Sequence, residues 1–147
     1  MLKGISPFLS PELLALLCRM GHGDEMVIGD GHFPAETFAQ KHCVRADGLT
    51  VPQLLDAILP LFELDRYDVT PVLTMEAVPG DSLDPTIEAS YRSLCDRHGY
   101  AWAKMARLER FAFYERARQA FVIVQSGDTA KYANIILKKG VTPAAQV

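Results

Sequence analysis

The sequence predicts a layered α/β protein. Short apolar runs bounded by turn residues alternate with stretches of helical periodicity, and the helical stretches open on recognisable caps. The clearest strand runs are Met26-Val27-Ile28 and Phe121-Val122-Ile123-Val124. The clearest helix starts are Ser10-Pro11-Glu12, Thr50 and Asp84-Pro85. Serine, threonine and aspartate accept from free amides of a first turn, and proline fits that turn without losing a hydrogen bond.

After the first cap, Leu13, Leu14, Leu17 and Cys18 share one helix face, and Gly21 can end the helix. Residues 31–49 are less regular, with a short strand expected at Val44-Arg45-Ala46 and a turn at Asp47-Gly48. Behind Thr50, the residues Leu54, Leu55, Ile58, Leu59 and Phe62 keep helical spacing until Pro60 ends or bends the helix. A strand follows at Pro71–Met75, then a loop at Pro79-Gly80-Asp81. Behind Asp84, Ile87, Tyr91, Leu94, Cys95 and His98 form one face up to Gly99. A weaker strand is expected within Trp102–Leu108, a short helix over Phe111–Ala120, and a turn at Ser126-Gly127-Asp128. Tyr132–Leu137 reads as the last strand, with a loose tail from Thr142.

The chain has 147 residues, 49% of them hydrophobic, which suits one ordinary domain with a continuous core. Its net charge of -3 gives no basic footprint for nucleic acid or an anionic membrane. The leucine cluster near the N-terminus is interrupted by Glu12 and Arg19, so neither a signal segment nor a membrane span is expected there. Three scattered cysteines fit a reducing cytoplasm better than a disulfide framework.

Three polar groupings could carry chemistry. His22 stands between two glycines directly after a helix, and Asp30 stands between two more at the end of the Met26–Ile28 strand. An imidazole displayed in this way suits proton transfer, and the carboxyl end of a strand is where open α/β sheets hold ligands. The plainer readings are a histidine favoured by the negative end of a helix dipole and a turn aspartate. Arg110 and Tyr114 are four apart and share a face if a helix begins near Arg110. Tyr132 and Asn134 are two apart and share a side if they lie in a strand. Cys18 and His22 have helical metal-ligand spacing but no second pair to complete a site, so no metal is expected. No glycine-rich phosphate loop follows a strand, and Ser126-Gly127-Asp128-Thr129 resembles a phosphate-gripping turn only loosely. The set is rich in directional hydrogen bonds and suits a hydroxyl-rich, uncharged ligand better than a nucleotide.

Five stretches together resemble one known family. They are Ser10-Pro11-Glu12-Leu13-Leu14, Met20-Gly21-His22-Gly23-Asp24-Glu25, Arg45-Ala46-Asp47-Gly48-Leu49, Arg110-Phe111-Ala112-Phe113-Tyr114-Glu115-Arg116-Ala117 and Tyr132-Ala133-Asn134-Ile135-Ile136-Leu137-Lys138-Lys139-Gly140. In this order they resemble the RbsD/FucU family of sugar mutarotases, most nearly its L-fucose mutarotase branch. The resemblance implies a single three-layer α/β/α domain over residues 1–147 with a largely parallel central sheet. It implies an isomerase that interconverts sugar anomers without metal or organic cofactor. His22 falls on the family's proton-donating histidine and Tyr114 on a tyrosine implicated in the chemistry. Asp30, Arg110, Tyr132 and Asn134 fall on sugar-binding positions, and Asp65 and Met75 on positions lining the site in some members. Pyranose–furanose exchange of ribose-type sugars and sugar binding without turnover are the alternatives.

One spacing strains this picture. His22 and Asp30 are eight apart across an expected strand, and an extended chain covers up to ~3.3 Å per residue. Either the chain folds back at Gly21-His22-Gly23 or each site draws on two subunits. The second is the expectation here, since the resemblance also implies rings of subunits, often decamers, with sites at subunit interfaces.

Overall fold

The computed structural model describes residues 2–146; Met1 and Val147, the ends of the expected 1–147 domain, lie outside the described residues. Six strands form one sheet: β1 (Glu25–Gly29), β2 (Cys43–Ala46), β3 (Val72–Met75), β4 (Met105–Leu108), β5 (Val122–Ser126) and β6 (Ile135–Lys138). Their order is β2-β5-β1-β6-β3-β4. The pairs β1–β5, β2–β5 and β3–β4 are parallel, while β6 runs antiparallel to both β1 and β3. The sheet is therefore mixed: every strand but β6 points the same way, as a largely parallel sheet requires.

Alternation along the strands builds two cores. Met26, Ile28, Val122, Val124, Ile135 and Leu137 face one side, with α1 (Pro11–Arg19), α3 (Val51–Ile58) and α4 (Pro85–Arg97) packed over them. Val27, Ile123 and Ile136 face the other, under α2 (Ala35–Phe38) and α5 (Arg110–Gln119). Strands buried on both faces explain the continuous apolar runs, because neither side of the central strands meets water. The result is the expected α/β/α sandwich.

The predicted caps hold. Ser10, Thr50 and Asp84 each accept a first-turn amide, and Gln53 completes a reciprocal capping box with Thr50. Helix α3 stops at Ile58, and Pro60 sits in a single 3-10 turn over Leu59–Leu61. Two readings need correction. Residues 31–49 contain α2, one helical turn too short to show periodicity. The last strand starts at Ile135, because Tyr132 adopts a left-handed backbone (φ 61°) that cannot continue a strand.

Helix α5 positions a functional face. Its far end is tied to the start of β1 by a bidentate Arg116–Glu25 pair, Nε–Oε2 2.8 Å and Nη2–Oε1 2.6 Å. Its first turn therefore comes to the opposite end of the sheet, beside the carboxyl ends of β1 and β3.

Candidate active site

A cavity of about 390 Å³ opens at that end of the sheet. Asp30, Met75, Arg110, Tyr114, Tyr132 and Asn134 all line it, together with His32, Phe33 and Lys131. Six of the eight residues singled out from the sequence thus converge.

Each is placed by a local device. Asp30 follows β1 directly; its N–H donates to Asn134 Oδ1 at 2.8 Å, and its Oδ1 accepts from the His32 amide at 2.9 Å. Asn134 is buried and turns its amide toward Met75 Sδ at 3.8 Å. Arg110 and Tyr114 occupy one face of the first turns of α5, with Arg110 Nε donating to the Tyr114 hydroxyl at 3.0 Å. The Tyr114 ring packs 4.8 Å from Phe38 and 5.9 Å from Phe33, which limits its rotation. Tyr132 reaches the cavity from a turn instead of from a strand face.

Burial dominates the electrostatics of Asp30. Only 3% of it is exposed, and desolvation raises its pKa above the usual carboxylate value, opposed by hydrogen bonds from His32, Phe33 and Asn134. A raised folded-state pKa favours folding with the proton on; that contribution is lost as pH rises through the raised value. Asp30→Asn is therefore expected to raise the thermal midpoint at pH 7, with the gain over wild type shrinking as pH falls through the raised value and gone once pH is below the usual carboxylate range. The same variant is expected to lose ligand affinity, since it replaces a carboxyl oxygen that can accept from a sugar hydroxyl with an amide nitrogen that cannot. Differential scanning calorimetry across pH, beside ligand titration, checks both.

His22 and Asp65 are not in this cavity. They sit at the other end of β1, where the Gly23 N–H bonds the Lys139 carbonyl at 2.8 Å and the Asp65 N–H bonds the Lys138 carbonyl at 3.0 Å. A positive φ of 86° at Gly23 makes the turn that presents the histidine. His22 Nε2 lies 3.2 Å from Asp65 Oδ1, and the Tyr67 ring is 5.5 Å from the imidazole. The His22 side chain is 48% exposed and the Asp65 side chain 3%. A buried carboxylate that accepts from Nε2 fixes the imidazole's orientation and leaves Nδ1 as the ring nitrogen not engaged by Asp65. Chain fold-back is therefore ruled out within one subunit: the five residues of β1, Glu25–Gly29, alone span about 16 Å between the two groups.

Sequence reasoning missed His32, Phe33 and Lys131 as cavity residues. Nothing in their spacing marks them, although His32 and Phe33 follow Asp30 closely enough to have been suspected. The Ser126–Asp128 turn is structural: the Gly127 N–H donates to the Leu49 carbonyl at 2.8 Å and the Asp128 N–H to Ser126 Oγ at 3.2 Å, so neither amide is free for phosphate.

Fold and cavity together define an α/β protein with a polar-lined cavity at the carboxyl edge of its sheet, of a size for a small ligand. The chain belongs to the RbsD / FucU transport protein family, whose model matches residues 3–142. It is 55% identical over 143 residues to an L-fucose mutarotase of Histophilus somni, covering 97% of this chain and 99% of that one. It is 54% identical to an L-fucose mutarotase of Haemophilus influenzae over the same share of each chain. A fucose mutarotase from Streptococcus pneumoniae, solved in complex with L-fucose, matches with a TM-score of 0.91 and 44% identity, over 97% of this chain and all of that one. RbsD of Bacillus subtilis, solved with D-ribose, shares the fold at a TM-score of 0.76 and 18% identity, over 97% of this chain and 100% of that one.

Proposed function

We propose that this protein is a mutarotase that interconverts the α and β anomers of a free aldose, with L-fucose as the sugar best supported. The observation that carries the reading is the cavity, where a carboxylate, a guanidinium, two phenols and an amide converge on a volume suited to a monosaccharide. The relatives supply the identity of the sugar.

Mutarotation breaks the bond between the anomeric carbon and the ring oxygen. One group gives a proton to the ring oxygen while another takes the anomeric hydroxyl proton; the aldehyde rotates, and the ring closes on either face. In this account His22 exchanges the proton with the ring oxygen through Nδ1, and Asp65 is the positioning residue that holds it by Nε2. Tyr114 relays the anomeric hydroxyl proton, directly or through water: its oxygen accepts that proton as its own phenol proton passes to water. Asp30, Arg110, Tyr132 and Asn134 orient the sugar, and Met75 forms an apolar wall. The chemistry asks for no metal or organic cofactor.

Because His22 and the cavity occupy opposite ends of one subunit's sheet, each site joins the cavity of one copy to the His22–Asp65 pair of a neighbour. A closed ring satisfies this arrangement for every copy, since a repeated head-to-tail contact closes when its rotation allows. The family's decamers are the form we favour, with residues 1–147 working as one domain in each copy. Three cysteines without disulfides, and no helix among the described residues long and apolar enough to cross a membrane, fit a cytoplasmic enzyme.

Saturation-transfer NMR on L-fucose tests the reaction. Exchange between the anomeric signals is expected to accelerate with protein, more than it does on D-ribose. A protein that broadens the signals without accelerating exchange is a sugar-binding module, and the reading fails. Dilution until subunits separate is expected to abolish the exchange; a fully active monomer would exclude the shared site.

A further inference from the structure

Asp81 has no place in that mechanism, yet it bonds two residues that line the cavity, Lys131 and Tyr132. It lies in the loop between β3 and α4, 50 residues from Lys131 and 51 from Tyr132, the two side chains it binds. Both its oxygens accept from Lys131 Nζ at 2.9 Å, Oδ2 also accepts the Tyr132 hydroxyl at 2.9 Å, and Oδ1 the Ser82 amide at 2.8 Å. A carboxylate offers about four acceptor sites, and these bonds fill them. Asp81 therefore has nothing left to offer a ligand directly. Lys131 foremost, with the Ser82 amide and the Tyr132 hydroxyl, holds its pKa down at about 2, so it accepts at every pH where the protein works.

We propose that Asp81 is a positioning residue that fixes the hydrogen-bond polarity of the cavity: it takes the hydroxyl proton of Tyr132 and leaves that phenol oxygen to the ligand as an acceptor only. Tyr114 has the opposite polarity. Its oxygen accepts from Arg110 Nε at 3.0 Å, and its proton remains free for an acceptor on the ligand. The two phenols of the cavity thus read different things, a hydroxyl donor at Tyr132 and an oxygen acceptor at Tyr114. The left-handed backbone at Tyr132 (φ 61°) is a conformation that costs a non-glycine residue energy and persists only where surrounding contacts hold it; the bonds to Asp81 from Tyr132 and its neighbour Lys131 are such contacts.

This proposal rests on the sugar reading above and specifies how that sugar is recognised. The test is the binding of L-fucose and its monofluorinated deoxy analogues to wild type, Asp81→Ala, Asp81→Asn and Tyr132→Phe. Fluorine cannot donate. At one ring position it is expected to weaken binding to wild type about tenfold, the worth of one hydrogen bond to a ligand. That penalty is expected to vanish in Tyr132→Phe and to fall to about threefold or less in Asp81→Ala, where the phenol can turn its proton toward the fluorine. Asp81→Ala is also expected to raise KM about tenfold with kcat nearly unchanged, and Asp81→Asn, which keeps an acceptor for Tyr132, to restore most of the KM. An unaltered fluorine penalty in Asp81→Ala, or equal loss of kcat and thermal stability in that variant, overturns the proposal. If wild type binds no sugar of the panel, the mutarotase reading fails by itself. The tether is then decided by the Tyr132 signal of tyrosine-labelled, ligand-free protein, which Asp81→Ala moves if the bond exists and leaves in place if it does not.

Discussion

His22→Ala is expected to lower the rate of catalysed anomer exchange by about 10²–10⁴-fold, the usual contribution of a positioned acid–base group. Affinity for L-fucose should stay near that of wild type, because the cavity residues of the adjoining copy, which orient the sugar, are untouched. Folding should survive too. The imidazole is half exposed, and Asp65 keeps the Tyr67 amide at 3.1 Å and the Lys138 ammonium at 3.8 Å as partners once it is gone. The rate is read by saturation transfer, the affinity by titration and the folding by circular dichroism. Loss of rate with binding and structure intact assigns the histidine to the chemistry; an unchanged rate removes it.

Gly127→Ala is expected to have the largest effect on stability. A Cβ there would stand 1.8 Å from the Asp47 carbonyl oxygen and 2.8 Å from its carbon. Both are backbone atoms, so no side chain can rotate away. The turn at Asp47-Gly48 must retreat, and with it the Gly127-to-Leu49 hydrogen bond and the Asp128 carboxylate that accepts the Val51 amide at 3.1 Å at the start of α3. The expected cost is about 3 kcal/mol or more, the upper range for overpacking that only a backbone shift can relieve. Activity should fall as well, since the Gly31 amide, next to Asp30, bonds the Asp128 carbonyl at 2.7 Å. Gly48→Ala is the control: a Cβ there meets nothing within 4 Å, and the change should stay within about 0.5 kcal/mol. Urea unfolding midpoints of both variants decide the comparison.

What could be read in the sequence follows from how local each signal is. Ser10, Thr50 and Asp84 announced their helices because a cap acts over three residues. The apolar runs of β1 and β5 announced themselves because both faces of those strands are covered. Arg110 and Tyr114 were legible as a pair because one helical turn brings them together. The direction of β6 was not legible, since pairing it between β1 and β3 is decided by contacts far away in the chain. Tyr132 and Asn134 were rightly placed together for the wrong reason: a left-handed turn, and not strand alternation, brings both to the cavity. Asp81 was invisible because its side-chain partners, Lys131 and Tyr132, are 50 and 51 residues away and its own surroundings read as an ordinary Pro-Gly-Asp loop. The separation of His22 from Asp30 was the exception, a long-range fact deducible from the length of a single strand.

The central claim is that a cavity from one copy works with a histidine from another. It is tested most directly by mixing two variants, His22→Ala, which lacks the acid–base group, and Asp30→Asn, assayed at a sugar concentration its weakened cavity does not fill, after dissociating and reassembling them together. One interface in about four then pairs an intact cavity with an intact histidine, so about a quarter of wild-type exchange activity should return. If every site lies within one subunit, each mixed assembly contains only damaged sites; a mixture as inactive as its two components would contradict the account.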